Sequence, residues 1–403
     1  MRVFAYLLPF LFLLPGTIAT GQEASAAGLS EVGTARIDSW LQKEIEAERL
    51  PMAEMLIYRN GALGYHRTAG VTKVVEGQAL QENQLYHLMS MTKPIVTVAF
   101  MMLYEEGHFQ LNDPVADYLP EFAELTVARN TDEGLSVATD SAESAITIAQ
   151  VLSHTTGYSH GLTGSKLDNE IAGALYYLPH PDIASRVRTL ATLPLTAQPG
   201  TRWIYSTSPD ILARLIEVFA GQSVAEFLQE RLFDPLGMDD TGYNVPADQQ
   251  SRMVVNHQVD DNGTSVADMQ FPISGNTVFG GSFGLISTAR DYLTFCRMLL
   301  NKGELDGRRY LSPKTVELMT VNHVGDLRGN GEGFGLGFGI ITDVAKNGVS
   351  GSEGQYFWNG AYSTFFFIDP QEDLIAILLS QRSPYSTYHE KMLRQMTYQA
   401  LTD

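Results

Sequence analysis

A nearly uniformly apolar stretch at residues 94–104 predicts a helix that is buried on all sides. Gly107 ends this helix, and Pro94, which a helix tolerates only near its first turn, places its start close to Ser90. Lys93 follows Ser90 by three residues on one helical face, beside the positive end of the helix dipole. Burial lowers the pKa of a lysine, which is how an amine becomes a base at neutral pH. Ser90 and Lys93 are therefore a candidate nucleophile and base, although a Ser-x-x-Lys pair alone also fits an ordinary helix N-cap.

Strands are predicted near both ends of the chain, where short apolar runs flank turn residues. Asn60-Gly61, which lies between two such runs, is a strong hairpin signal. Between the strand-rich ends the chain is predicted to be mostly helix and loop, with a capping box at Thr147-x-x-Gln150. The other elements predicted near the ends are a helix over 30–50, strands over 362–368 and 374–380, and a helix over 388–401.

This pattern predicts an α/β fold with one antiparallel sheet, built from N- and C-terminal strands and flanked by helices, and with an inserted, mostly helical subdomain. We expect a single catalytic domain over residues 28–403. Its α/β part covers approximately residues 28–117 plus 275–403, and its helical part approximately residues 118–274. Ser90 is expected at the junction of the two parts, where pockets tend to form.

Residues 1–27 have the pattern of a secretory signal: Arg2, an apolar stretch, the Pro15-Gly16 break and small residues after it. The apolar stretch is too short to span a bilayer comfortably, and an uncleaved anchor is the alternative. The single cysteine, Cys296, lies in an apolar helical stretch, so no internal disulfide is possible and core packing is its expected role. An exported protein without disulfides fits a bacterial envelope, so we expect a periplasmic or secreted protein with no stable membrane insertion once the signal is removed.

Composition limits the partners and cofactors. The chain is 44% hydrophobic and 18% charged, which is typical of a globular protein. Its formal net charge of −19 argues against nucleic acid or an anionic membrane as a partner. The histidines form no His-x-x-x-His or His-Glu-x-x-His motif, and the spacing of His154 and His160 is not a usual metal spacing. No metal or other cofactor is expected, and the oligomeric state is left open.

Three further segments carry candidate chemistry. Tyr205 lies in a short loop before a predicted helix, where a tyrosine is more often a packing residue than a catalyst. Gly360 lies at the edge of a predicted strand, where a glycine lets backbone approach a ligand closely. Ser282 matches the Gly-x-Ser-x-Gly of α/β-hydrolases, but the strand, sharp elbow and immediate helix that this motif requires are missing. Ser282 is therefore expected to be a structural turn.

In this order, Ser90-x-x-Lys93, Tyr205-Ser206-Thr207 and Trp358-Asn359-Gly360 resemble the three motifs of the serine β-lactamase and penicillin-binding protein superfamily. The sequence is most similar to the class C-like serine hydrolases, and within them to the family VIII carboxylesterases. Nearly the whole mature chain takes part in the resemblance, which implies the fold of that superfamily. The other matching segments are YLPEF (118–122), VLSHTTG (151–157), PGTRWIYS (199–206), PLGMDDTG (235–242), GGSFGLISTARDY (280–292), ELDGRRYLSPKTVELM (304–319) and IDPQEDLIAI (368–377).

The resemblance implies roles for individual residues. Ser90 is the implied nucleophile, and Lys93 with Tyr205 the pair that moves the proton. Since both side chains have unperturbed pKa values near ~10, they can share one proton, and the sequence leaves open which one acts as the base. The implied oxyanion hole consists of the backbone N–H groups of Ser90 and Ala361.

Two departures from the β-lactamase motifs resemble the esterase branch instead. Thr207 stands where β-lactamases carry an asparagine, and Trp358 stands in place of the lysine of Lys-Thr-Gly. Trp358, Asn359, Gly360 and Thr207 are the expected substrate-binding residues.

The resemblance favours a serine hydrolase that cleaves small carboxylic esters through an acyl-enzyme and can transfer the acyl group to alcohols. A β-lactamase or D-amino-acid peptidase, acting on an amide, is the alternative, and the missing lysine and asparagine speak against it. A non-catalytic envelope-binding protein of the same fold is disfavoured because Ser90, Lys93 and Tyr205 are all present.

Overall fold

A seven-stranded, fully antiparallel sheet forms the centre of the computed structural model, which describes residues 21–402. Its spatial order is β3-β4-β5-β6-β7-β1-β2, so the hairpin from the start of the chain pairs through β1 with β7 from its end. The predicted fold class is confirmed. The strands are Met52–Arg59 (β1), Ala62–Gly70 (β2), Glu332–Phe334 (β3), Gly339–Ile341 (β4), Tyr356–Gly360 (β5), Thr364–Asp369 (β6) and Leu374–Leu379 (β7).

Both faces of the sheet are covered, as β7 illustrates. Leu374, Ala376 and Leu378 enter the core on one face, whereas the alternating Ile375 and Ile377 enter the core on the other. This alternation follows from the two-residue period of a strand. Full burial of a branched aliphatic side chain contributes about 1.5–3 kcal/mol, so every strand position stabilises one of the two layers.

Helices form the layers on either side of the sheet. Those near the two chain ends, Glu31–Glu46 and Thr387–Tyr398, pack on one face, and Thr92–Glu105 and Ala289–Leu300 pack on the other. The helices are Gly21–Ala26 (α1), Glu31–Glu46 (α2), Thr92–Glu105 (α3), Ile148–Ser153 (α4), Lys166–Ala172 (α5), Ile183–Ala191 (α6), Pro209–Ala220 (α7), Val224–Leu228 (α8), Asp234–Leu236 (α9), Ala289–Leu300 (α10), Pro313–Met319 (α11), Val344–Asn347 (α12) and Thr387–Tyr398 (α13).

Helix α3 has the buried environment that its sequence predicts. Every residue from 92 to 103 is buried, and Gly107 ends the helix with a φ of +81°, a conformation that a glycine adopts without strain. Cys296 is free and buried in α10, which confirms core packing as its place.

The expectation of mostly helix and loop between the strand-rich ends is incomplete. The short strands β3 and β4 belong to the central sheet, and several two- to four-residue ladders lie outside it. Such strands are too short to show alternation, and the glycines around β3 and β4 are typical of loops. The ladders outside the sheet join Thr126–Ala128 with Thr139–Ser141, His257–Asp260 with Gly263–Val266 and Arg382–Ser383, Tyr86–His87 with Ile286–Ser287, and Glu304–Leu305 with Arg308–Arg309.

The predicted secretory signal lies mostly outside the described residues. Its last part is described: α1 ends at Ala26, and the side chains of Ala24 and Ala27 are buried. Ala27 packs against Gly64 of β2, where a β-carbon would lie only 2.3 Å from the Ala27 methyl group. Within residues 21–402, none of the helices has both the length and the hydropathy to cross a bilayer.

Candidate active site

Ser90 lies in a single 3-10 turn, Met89–Met91, directly before α3. Met89 has a φ of +51°, an unusual conformation for a residue with a side chain. Two hydroxyl groups hold the turn from the core: Tyr292 donates to the Met91 carbonyl at 3.1 Å, and Thr364 of β6 donates to the Leu88 carbonyl at 3.1 Å. The turn is therefore fixed to the helix layer and to the sheet, while Ser90 itself stays partly exposed.

The Lys93 amine lies one helical turn deeper, and its side chain is almost fully buried. Its Nζ is 3.3 Å from Ser90 Oγ, 3.5 Å from Nε2 of His160 and 2.7 Å from the carbonyl oxygen of Ser282. Burial lowers the pKa of Lys93 to about 7, although the negative charge of Asp210 acts in the opposite direction. Both forms of the amine are therefore populated near neutral pH.

Tyr205 lies in the loop before α7 and places its ring 4.6 Å from the Lys93 amine. Its hydroxyl is buried, and none of the described residues completes a hydrogen bond of normal geometry with it. Burial raises the pKa of this phenol well above its ordinary value, and the nearby Ser90 hydroxyl and Trp358 indole only partly offset the rise. Tyr205 is thus a protonated phenol at neutral pH, beside the Lys93 amine, whose neutral and charged forms are both populated.

Ser282 has a structural environment, in agreement with its interpretation as a turn. Its backbone N–H donates to Asp210 Oδ1 at 2.8 Å, and its hydroxyl donates to the carbonyl of Thr207 at 3.1 Å. Its carbonyl accepts the hydrogen bond from Lys93. Ser282 is fully buried, so it positions the lysine and has no route to a substrate.

The third motif runs along β5 and ends beside Ser90. A β-carbon on Gly360 would lie 2.3 Å from the Leu88 carbonyl oxygen, so only glycine lets the strand approach the turn this closely. Ala361 follows as the exposed first residue of the turn into β6. Asn359 is half-buried on the strand, whereas Thr207 is fully buried and its hydroxyl has no partner among residues 21–402.

Trp358 lies between aromatic neighbours, with ring centroids 5.3 Å from Tyr205 and 5.2 Å from Phe334. Arg328 places its guanidinium 5.5 Å from the Trp358 ring and pairs with Glu332 at 2.7 Å. This cation lies against the indole and has its own carboxylate partner. The Trp358 Nε1–H is buried and lacks an acceptor in the described part of the chain.

A cavity of about 280 Å³ adjoins this group of residues. Met89, the residue before Ser90, forms part of its wall, and so does Phe283, the residue after Ser282. Tyr176, another wall residue, packs its ring 5.4 Å from that of His160. The cavity therefore extends from the neighbourhood of Ser90 and Lys93 and is a candidate binding site for part of a substrate.

The sequence analysis missed two histidines at this site. The His160 ring stacks on Tyr205 at 5.1 Å, and the His154 ring lies 5.1 Å from Tyr205 on another side, with Nδ1 2.9 Å from the Ser206 hydroxyl. Burial, reinforced by the charge of Lys93, lowers the pKa of His160 to about 3 and that of His154 as well. Both are therefore neutral. His154 belongs to the matching segment VLSHTTG, but its catalytic neighbourhood was not predicted, and no motif contains His160. Among the described residues no cluster of three or more potential ligands could hold a metal ion.

Comparison with known proteins identifies the family of the chain. The profile of the beta-lactamase family matches residues 37–401. The chain belongs to the beta-lactamase family. A protein of Mycobacterium tuberculosis is 33% identical, over 85% of this chain and 89% of its own length. Esterase EstB of Burkholderia gladioli is 28% identical, over 86% of this chain and 90% of its own length.

The solved structures agree on the fold. That of EstCE1, described as a hydrolase with promiscuous acyltransferase activity, aligns with a TM-score of 0.77 at 21% identity and covers 94% of this chain and 99% of its own. With an esterase among its beta-lactamase family relatives, the protein is a serine hydrolase.

Proposed function

We propose that the protein hydrolyses small carboxylic esters through a covalent acyl-enzyme on Ser90, and that alcohols can replace water as acceptors of the acyl group. The observation that carries the proposal is the contact between the partly exposed Ser90 hydroxyl and the buried Lys93 amine, 3.3 Å apart, with the pKa of the lysine lowered to about 7. A neutral amine is the base that a serine needs at physiological pH. Esterase EstB and EstCE1 support the same class of reaction.

The two proton-transfer residues take distinct roles in this proposal. Lys93 is the base, because it is the group that is neutral near pH 7, and it accepts the Ser90 proton as Oγ attacks the ester carbonyl. Tyr205 is the acid, because its phenol stays protonated, and it gives a proton to the alcohol that leaves. Lys93 then returns its proton to Tyr205, which restores the pair.

The backbone stabilises the negative charge that develops on the carbonyl oxygen. We assign this role to the N–H groups of Ser90 and Ala361, because Gly360 brings the end of β5 against the residues that precede Ser90.

Hydrolysis of the acyl-enzyme uses the same proton-transfer pair: water, or an alcohol, loses its proton to Lys93 and Tyr205 as it attacks the acyl carbonyl. Trp358, Asn359 and Gly360 are assigned to substrate binding, whereas the fully buried Thr207 acts only through the loop that carries Tyr205.

Trp358 favours esters over β-lactams. A lysine at this position of the third motif gives a cation for the carboxylate of a β-lactam, and such a charge-assisted hydrogen bond contributes about 1.5–3 kcal/mol. An indole offers one N–H and an apolar face instead. Arg328 does not replace the lysine, since it stacks on the Trp358 ring and pairs with Glu332. A β-lactamase or peptidase is therefore the second candidate.

The test compares kcat/KM for p-nitrophenyl butyrate and for nitrocefin. We expect efficient turnover of the ester and slow turnover of nitrocefin. Equal efficiency would replace the esterase proposal with the β-lactamase proposal, and turnover of neither would favour a non-catalytic binding protein.

The assignment of residues is tested on the same ester. Ser90→Ala should remove activity and labelling by a fluorophosphonate, whereas Ser282→Ala should keep the label on Ser90. Tyr205→Phe and Lys93→Ala should each lower kcat by at least ~100-fold, the usual contribution of a positioned acid or base. Label on Ser282 would overturn the assignment.

We further propose that Ser90 lies at the junction of an α/β part, residues 28–117 plus 275–403, and a helical part, residues 118–274. The small-molecule substrate would enter between them. A periplasmic or secreted location remains part of the proposal, on the basis of the signal pattern in residues 1–27.

A further inference from the structure

Arg186 is a buried cation that lines the cavity next to Ser90. Its side chain is only 12% exposed, and it projects from α6 towards the adjacent rings of Tyr176 and Phe283, 5.6 and 5.7 Å away. No residue from 21 to 402 accepts a hydrogen bond from its guanidinium, and its Nε is completely buried. Buried polar groups almost always have partners, because each unmade hydrogen bond of this kind costs about 1–3 kcal/mol. A guanidinium whose one described partner is a loose ion pair can therefore accept a further anionic ligand.

The surroundings of Arg186 favour an anionic ligand. Asp210 is the one described carboxylate paired with it: its Oδ2, which has no hydrogen-bond donor among the described residues, lies a loose 3.5 Å from the guanidinium, and its Oδ1 accepts from the backbone of Ser282. Neither Asp210 nor any other carboxylate lines the cavity. The Tyr176 hydroxyl, on the same wall, is buried and likewise has no partner among the described residues. Two groups with unmade hydrogen bonds, Arg186 and Tyr176, thus line a cavity whose other wall residues include Phe271 and Phe283.

We propose that the natural ester carries a carboxylate at the end remote from the scissile bond, and that Arg186 and Tyr176 bind this carboxylate inside the cavity. A carboxylate presents two acceptor oxygens in the spacing of the guanidinium fork, and the aromatic walls suit a short alkyl chain between the carboxylate and the ester. This inference rests on the proposed ester hydrolysis, and it adds the class of substrate: monoesters of short dicarboxylic acids and their analogues. The bound carboxylate would lie near Phe283, the residue after Ser282.

The size of the effect follows from the two charges near the carboxylate. A charge-assisted hydrogen bond in a desolvated site changes affinity by about tenfold to a hundredfold. Asp210 offsets part of the positive charge of Arg186, so the lower end of this range is expected. The net charge of −19 repels anions from the protein as a whole, which makes a preference for a charged ester diagnostic of a local site.

The experiment measures kcat/KM at pH 8 with a pH-stat for two matched pairs: monomethyl glutarate against methyl pentanoate, and monomethyl adipate against methyl hexanoate. Wild-type protein should prefer the charged member of at least one pair by about tenfold. Arg186→Gln should reduce this ratio to about one or less, and Arg186→Lys should retain part of it. Arg188→Gln, at an exposed position of the same helix, is the matched control and should keep the wild-type ratio.

A wild-type enzyme that hydrolyses the neutral member of both pairs as well as the charged one, or better, overturns the inference while leaving the esterase proposal intact. Hydrolysis of none of the four esters contradicts the esterase proposal itself. Folding of the variants is checked by circular dichroism and by fluorophosphonate labelling of Ser90. A second measurement needs no variant: free glutarate should inhibit p-nitrophenyl butyrate hydrolysis by the wild type at least tenfold more strongly than glutaramide does, and equal inhibition would argue against the site.

Discussion

Nε2 of His160 lies 3.5 Å from the amine of Lys93, which also contacts Ser90 Oγ at 3.3 Å and the Ser282 carbonyl oxygen at 2.7 Å. A neutral amine has two N–H donors and one lone pair. The Ser282 carbonyl and the neutral His160 ring can accept the two N–H groups, which leaves the lone pair for the Ser90 hydroxyl. We therefore expect His160 to position Lys93, the proposed base.

Replacement of His160 by phenylalanine keeps a ring to stack on Tyr205 but removes the acceptor for Lys93. We expect kcat for p-nitrophenyl butyrate to fall by about tenfold, the value of one hydrogen bond. His160→Gln, whose amide oxygen can accept from the amine, should recover part of the loss. Equal losses in both variants would mean that His160 acts through packing alone.

The lowered pKa of Lys93 predicts the pH dependence of catalysis. The base form is the neutral amine, so kcat/KM should rise with pH through a midpoint near 7 and level off above it, falling about tenfold per unit well below that midpoint. Asp210 raises the pKa of Lys93, so Asp210→Asn, which keeps an oxygen for the Ser282 N–H, should move the midpoint to lower pH. A wild-type midpoint near the ordinary lysine value would contradict the assignment of Lys93 as a base tuned by burial.

Buried histidines predict sensitivity of the fold to acid. Burial lowers the pKa of His87 to about 4, against 6.5 for an exposed histidine. As the pH falls from 6.5 to about 4, His87 becomes protonated in the unfolded chain but stays neutral in the folded protein. The free energy of unfolding therefore falls on acidification, by up to about 1.4 kcal/mol per pH unit for this histidine.

Urea unfolding at pH 7, 6 and 5 measures this slope. His87→Gln removes the titrating group and should flatten the slope, whereas His108→Gln, at an exposed position, should leave it unchanged. An unchanged slope in His87→Gln would show that the acid response originates elsewhere.

The burial of Ala24 and Ala27 bears on where the predicted signal is cut. Because both side chains pack in the fold, and Ala27 lies against Gly64, we expect cleavage before Gly21 and not after Ala27. N-terminal sequencing of the protein from an envelope or culture fraction decides this. Intact Met1 in the membrane fraction would favour an uncleaved anchor.

The sequence predicted those parts of the molecule whose signals are local and strong. The uniform apolarity before Gly107 predicts α3, and Asn60-Gly61 predicts the first hairpin. Strands β3 and β4 were not predicted, because they are strands through their pairing with neighbouring strands more than through their own three-residue sequences. The roles of His160 and Arg186 were not predicted for a similar reason. Nothing local in the sequence distinguishes them, and only the tertiary fold places His160 beside Lys93 and Arg186 beside the cavity.

The contact between Gly360 and Leu88 joins regions near opposite ends of the chain. When the ribosome has synthesised three quarters of the chain, Ser90, Lys93 and Tyr205 are present. Strand β5, which precedes the implied second oxyanion donor, has not yet been synthesised. Acyl-transfer chemistry would thus be withheld during synthesis and would begin only when the last strands close the sheet. A C-terminal truncation that removes β5 should accordingly leave a protein that contains Ser90 but has no catalytic activity.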